Sequence, residues 1–201
     1  MQQFLQASRY IDADDPAIRA RAAMLSAGAP DAIGVAEACF TFVRDEISHS
    51  WDVRSNPVTC RASDVLKHGT GYCYAKSHLL AALLRANGIP AGLCYQRLSV
   101  GDAGAPYCLH GLNAVYLSDH GWYRCDPRGN KPGVSARWSP PIEVLAFAIR
   151  EALECDLPEI WAEPLPVVID VLERCTDVSQ VHANLPDIEL WRGAARPSER
   201  R

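Results

Sequence analysis

No run of this chain is long and apolar enough to cross a bilayer. The longest, around residues 79–84, falls far short of the about 20 residues a spanning helix needs, so no membrane partner is expected. Met1-Gln2-Gln3-Phe4-Leu5 lacks the basic-then-apolar layout of a secretory signal, which points to a cytoplasmic protein. Basic residues form no stripe before the last few positions and the formal net charge is −4, which excludes binding driven by phosphate neutralisation; no DNA or RNA partner is expected. Although there are eight cysteines, no Cys-x-x-Cys pair occurs, so neither a zinc ribbon nor a thioredoxin-type redox motif is encoded. Without a secretory signal these thiols read as reduced, and most of them as small core hydrophobes. Internal repeats and low-complexity segments are also missing. What remains, 201 residues of which 48% are hydrophobic and 22% charged, fits one globular domain with a substantial core, or a core plus a short extension.

One cysteine stands apart. Cys73 lies in Gly69-Thr70-Gly71-Tyr72-Cys73-Tyr74, where a glycine-rich turn runs into an apolar helix over residues 78–86 that stops at Asn87-Gly88 before Pro90. A sulfur at a helix N-terminus meets unpaired backbone N–H groups and the positive end of the helix dipole, the setting that favours an anionic nucleophile. Two further residues supply what such a sulfur needs. His110 opens the apolar run through Leu117, Asp126 closes the next run from Gly121, and Ser118-Asp119-His120-Gly121 between them reads as a hairpin turn. The numbers of His110 and Asp126 share parity, so their side chains meet on one face only if the loop has an odd number of residues or contains a bulge.

The pattern of Gly71, Cys73, Ala75, Leu80 and residues 83–91, followed by His110 and then Trp122 with Asp126-Pro127, resembles the transglutaminase-like superfamily over roughly residues 35–130. The resemblance implies an α+β, papain-like transglutaminase core, in which N-terminal helices and a central helix bearing the cysteine pack on an antiparallel sheet bearing the histidine and the carboxylate. It also implies a catalytic triad of Cys73, His110 and Asp126 acting on a peptide or small amide substrate with no cofactor and no metal. Cys73 attacks a carbonyl, His110 protonates the leaving amine, and Asp126 orients the imidazole. Water then releases an acid or an amine accepts the acyl group, and hydrolysis is favoured because water is always present as the competing acceptor. The oxyanion would be met by the Cys73 N–H and by a second donor upstream, where His49 and Trp51 are both candidates. Tyr72 and Tyr74 flank the nucleophile and either line the substrate cleft or pack in the core. Two rivals remain: an inactive peptide-binding module of the same fold, and a zinc site built from Cys73, His110 and Asp126.

Around this centre, Asp15 caps a helix that starts at Pro16 and ends near Ser26. Asp31 caps a second, whose stripe of Val35, Ala38, Cys39, Phe42, Val43 and Ile47 should face the core. A short helix spans about residues 62–68, with Gly69 as its left-handed end. Strands are expected over 91–98, from His110, over 121–125 and, shorter, over 134–138. Residues 1–139 form the catalytic core with its N-terminal helices. Residues 140–201 form an extension packed on the core, its role open, with a helix near 167–174 and a frayed tail from 196. Lys76 and His78 are expected on the polar edge of the central helix; His68, His120 and His182 read as structural. Arg128-Gly129-Asn130-Lys131 reads as a solvated loop, or as a receiver of a carboxylate.

Overall fold

The computed structural model describes residues 1–101 and 104–188. Asp15 begins α1 (Pro16–Ser26) by accepting the Ala17 and Ile18 N–H groups at 2.8 and 3.3 Å, while Pro16 occupies a first-turn position where its missing N–H costs nothing. Asp31 begins α2 (Ala32–Glu46) in the same way, accepting from Gly34 N at 2.8 Å. The buried stripe of α2 is Ala36, Cys39, Phe40 and Val43, rotated from the expected one so that Val35, Ala38 and Phe42 sit at its margin. Two short parallel strands follow, β1 (Ser48–His49) and β2 (Thr70–Gly71), and between them lie α3 (Ser50–Val53) and α4 (Ala62–His68). Neither strand nor α3 has a sequence signal, because two residues are too few to show a period.

The central helix, α5 (Cys73–Ala86), is covered all round, by α1, α2 and α4 on one side and by the sheet on the other. Leu79, Leu80, Leu83 and Leu84 are each wholly buried, and at about 1.5–3 kcal/mol per fully buried leucine they hold the helix that carries Cys73. This enclosure overturns one expectation: Lys76 and His78 lie inside the protein, not on a polar edge. Both are met by backbone carbonyls, although His78 Nε2 is buried without a partner. Lys76 Nζ donates to Arg44 O at 3.3 Å and to Ile47 O, at the end of α2, and His78 Nδ1 meets Cys60 O at 2.7 Å. At the far end of the helix, buried Arg85 donates to Ala91 O, Gln6 O and Ala162 O, tying three distant segments together.

Four antiparallel strands follow in the order β5-β4-β3-β6, formed by β3 (Ala91–Gly101), β4 (Gly104–Leu117), β5 (Gly121–Cys125) and β6 (Cys155–Asp156). The β4–β5 loop is Ser118–His120, three residues closed by His120 N donating to Leu117 O at 3.1 Å, with Gly121 in the left-handed region at φ +73°. The odd count meets the parity condition. His110 lies within β4, not at its start, since the strand begins six residues earlier. Beside it, Gly111 has no side chain because an added Cβ would stand 3.0 Å from the Tyr74 ring and 3.2 Å from its Cα; the sheet touches the first turn of α5 there.

The expected strand at 134–138 is replaced by two isolated bridges, Lys131 to Val134 and Arg137 to Val144, and the fourth strand is instead β6, paired to β3 on the other edge. Beyond it come α6 (Pro166–Arg174) and α7 (Val178–Ala183). Val168, Val171, Leu172, Val178 and Val181 share one apolar cluster with α1, α2 and α5. The tail expected from 196 lies outside the described residues.

Candidate active site

The turn into α5 is built by backbone rules. Gly69 ends α4 at φ +64°, and β2 then pairs with β1 so that His49 lies opposite Gly71, two residues before Cys73. Gly71 has no room for a side chain, since a Cβ would meet Ala75 Cβ and Thr59 Oγ1 at 3.2 Å. No side chain caps α5, so the N–H groups of its first turn stay available beside the sulfur.

His110 crosses from the sheet to this point. Its Nε2 bonds Asp126 Oδ2 at 2.7 Å, and the Cys73 sulfur lies close enough to the ring to help hold its proton. Sulfur, imidazole and carboxylate are thus brought together. Burial alone would lower the His110 pKa, but the Asp126 carboxylate and the Cys73 sulfur more than offset it, raising the ring to about 10. Asp126 is wholly buried; the penalty of burial is overcome by His110 and by two backbone donors, Arg128 N and Ala146 N, both at 3.1 Å, so its pKa lies below the ordinary carboxylate value. Among the described residues, no group of histidine, cysteine, aspartate and glutamate is placed to hold a metal.

His49 and Trp51 both face the cavity above Cys73, in different states. His49 is buried, and burial followed by the nearby Arg128 charge holds its pKa well below the ordinary value, so the ring is neutral. Its Nδ1 is buried without a hydrogen-bond partner, 3.7 Å from Asp52 Oδ2. Trp51 is clamped: the His182 ring stacks on it at 3.6 Å and the Arg54 guanidinium sits 3.2 Å from its centroid, distances that require opposite faces. Tyr72 and Tyr74 both line the cavity, Tyr72 with its ring 4.9 Å from His49 and Tyr74, almost wholly buried, donating to Leu109 O. The basic loop does receive a carboxylate, that of the chain's own Asp52. Arg128 grips it with two bonds of 2.7 and 3.0 Å and Lys131 adds one of 2.7 Å, overcoming burial and lowering Asp52 to about 2.

Four contributors to the site have no sequence signal. Ala146 reaches Asp126 through its backbone, Phe147 stands edge-on to the His110 ring at 4.9 Å, His182 stacks on Trp51, and Lys76 lies under the turn. All lie around a cavity of about 470 Å³ or directly behind it.

A family model described as the transglutaminase-like superfamily matches residues 19–127, just over half of the chain, and takes in Cys73, His110 and Asp126. The chain belongs to the transglutaminase-like superfamily. Its fold is similar to that of a candidate cysteine protease from Cytophaga hutchinsonii, at 22% identity and a TM-score of 0.51, covering 62% of this chain and 40% of that one. It is also similar to the periplasmic domain of TgpA from Pseudomonas aeruginosa, at 21% identity and a TM-score of 0.47, covering 62% of this chain and 45% of that one. At these identities the likeness concerns the fold alone, and the chain spans less than half the length of either protein. No curated protein matches it significantly. Among the described residues no helix is long and apolar enough to cross a membrane. The transglutaminase-like match therefore ends one residue beyond Asp126, and Ala146, Phe147 and His182 reach the site from the chain that follows.

Within this transglutaminase-like core, Lys76 and His110 pull the pH dependence of stability in opposite directions. His110, raised from 6.5 to about 10, contributes stability in full below pH 6.5, and that contribution is lost as pH rises through about 10. Lys76, lowered from 10.5 to about 7 chiefly by burial, binds fewer protons folded than unfolded between those values, so its effect is a gain in stability as pH rises through the same range. The wild-type urea midpoint is expected to change little between about pH 7 and about pH 10, whereas that of Lys76→Met falls steadily. Urea melts across that range check it, and a variant as flat as the wild type would refute it.

Proposed function

We propose that the protein is a cysteine-dependent amide hydrolase, a peptidase or amidase working through a thioester. What supports this reading is the grouping of Cys73, His110 and Asp126, with Cys73 and His110 lining one cavity. In the reaction the thiolate attacks the carbonyl carbon and the carbonyl electrons move to oxygen. The Cys73 N–H meets that oxyanion. His49 is the second donor in preference to Trp51: it is neutral, keeps a ring N–H to offer, and lies on the strand paired to the nucleophile's turn, whereas the Trp51 ring is given over to its stack. As the tetrahedral species collapses, the C–N bond breaks and the leaving nitrogen takes the His110 proton. His110 then removes a proton from water, the resulting hydroxide attacks the thioester, and acid and thiolate are released. Transfer to an amine would need a site that holds the amine, and no cavity feature here favours one over water. The eight unpaired thiols are in keeping with a reducing compartment, the cytoplasm.

Brief treatment with iodoacetamide at about pH 6, followed by peptide mass mapping, tests the reading. Cys39, Cys60, Cys94 and Cys108 are each pushed up to about 12 by burial and Cys125 is raised well above the ordinary thiol value by the same cause, so they hold almost no thiolate at that pH. Cys73, at a helix start beside the protonated His110 ring, is expected to be alkylated first and at least tenfold faster than those five, a rough bound for an activated cysteine. Slow, uniform labelling would favour the inactive binding module instead.

A further inference from the structure

The chain beyond the transglutaminase-like match contributes two walls of the cavity above Cys73, and those walls carry a specificity. Phe147 stands edge-on to His110 on one side. On the other, α7 brings His182 onto the Trp51 ring at 3.6 Å and against the Tyr72 hydroxyl at 3.4 Å, and Leu185 follows along the same wall. The segment is anchored there: Asn56 Oδ1 accepts from Val178 N at 2.9 Å, Pro186 O accepts from Leu109 N at 2.7 Å, and Asp187 grips Arg97 with two bonds of 2.7 Å.

The charges that line the cavity are already satisfied within the protein. Arg128 is held by both oxygens of Asp52, and Glu154 accepts from Ser99 N, Ser99 Oγ and Arg150 N at 2.9, 2.6 and 2.7 Å. Arg150 has a partner of its own. His182 is kept neutral by partial burial and by Arg54 beside it. A charged substrate group entering this space would lose its water among arginine and glutamate side chains that already have hydrogen-bond partners in the protein. An apolar group would meet aromatic and aliphatic surface instead.

We infer that residues 147–185 make the cleft selective for neutral amides whose acyl residue carries a bulky apolar or aromatic side chain, with His182 and Leu185 as the specificity-determining residues. This rests on the hydrolase reading for its chemistry, but its test needs no turnover. Thermal-shift titration of the full chain with N-acetyl amino-acid amides reads binding directly. The phenylalanine and leucine amides should bind at least tenfold more tightly than the glutamate and lysine amides, the scale of discrimination an apolar pocket achieves. His182→Ala should weaken the apolar amides by about tenfold, and His182→Phe, which keeps the planar stack on Trp51, should restore them. Leu185→Lys provides a second route, expected to raise affinity for the glutamate amide relative to the leucine amide. Charged amides binding as well as apolar ones, no binding by any amide, or His182→Ala behaving as wild type would each overturn the inference. An apolar preference alongside slow, uniform iodoacetamide labelling would sink the hydrolase reading and leave the cleft's selectivity supported.

Discussion

Replacing Cys73 with alanine is expected to abolish hydrolysis of every amide the wild type accepts, a loss on the order of 10⁴- to 10⁶-fold in kcat. The size follows from what disappears. Without sulfur there is no covalent intermediate, and His110 has nothing to activate but water. The variant should fold normally. Alanine suits the first turn of α5 at least as well as cysteine, and the lost sulfur, though buried, borders the cavity, so stability should move by no more than about 1 kcal/mol, a Tm change of roughly 2–4 °C. Loss of turnover with an intact melting curve separates chemistry from folding. Residual activity above about one per cent would place the nucleophile elsewhere.

Asp126 should show two different failures depending on the replacement. Asp126→Ala removes the carboxylate bonded to His110 and strands Arg128 N and Ala146 N in a wholly buried place, a loss of roughly 3–5 kcal/mol that lowers Tm by roughly 6–20 °C. Asp126→Asn keeps the volume but cannot keep all three bonds. With its oxygen toward His110 Nε2 and Ala146 N, its NH₂ faces the Arg128 N–H donor; turned the other way, it donates to His110 and forces the wrong ring tautomer. A fall in kcat on the order of 10²- to 10⁴-fold is expected with a smaller stability loss than in the alanine variant. The pair's contribution to stability should also have an acid limit. The Asp126 pKa is depressed, so its contribution is present above the unfolded value near 3.8 and disappears as pH falls through the lower folded value. Acid titrations of both variants should lack that step. An Asp126→Asn variant with wild-type kcat would show that His110 needs no orienting partner.

Much of the site was legible because its signals are local. Asp15 and Asp31 sit one residue before the helices they cap, and the turn from Gly69 to Cys73 needs only neighbouring residues to place a sulfur at a helix start. The parity of His110 and Asp126 reduced a question about a sheet to the length of one loop, and a three-residue loop answered it. Local signals also misled. His110 looked like a strand start because Gly104, Ala105 and Pro106 suggest a loop, yet those residues belong to β4. Lys76 and His78 looked exposed because charge usually means water, and no window around α5 shows that the C-terminal carbonyls of α2 and Cys60 O lie waiting for them.

Residue order alone thus specified where the helices begin, which cysteine is set at a helix start, and that a histidine and a carboxylate could share one sheet face. These depend on capping atoms, side-chain periods and turn lengths, all contained within a few consecutive positions. The donors to Asp126, the neutral state of His49, the burial of Lys76 and the stack of His182 on Trp51 join segments up to 131 positions apart. They exist because covering the apolar surfaces of α5 and the sheet brings those segments together, and burial then decides which charges survive and which side chains find partners.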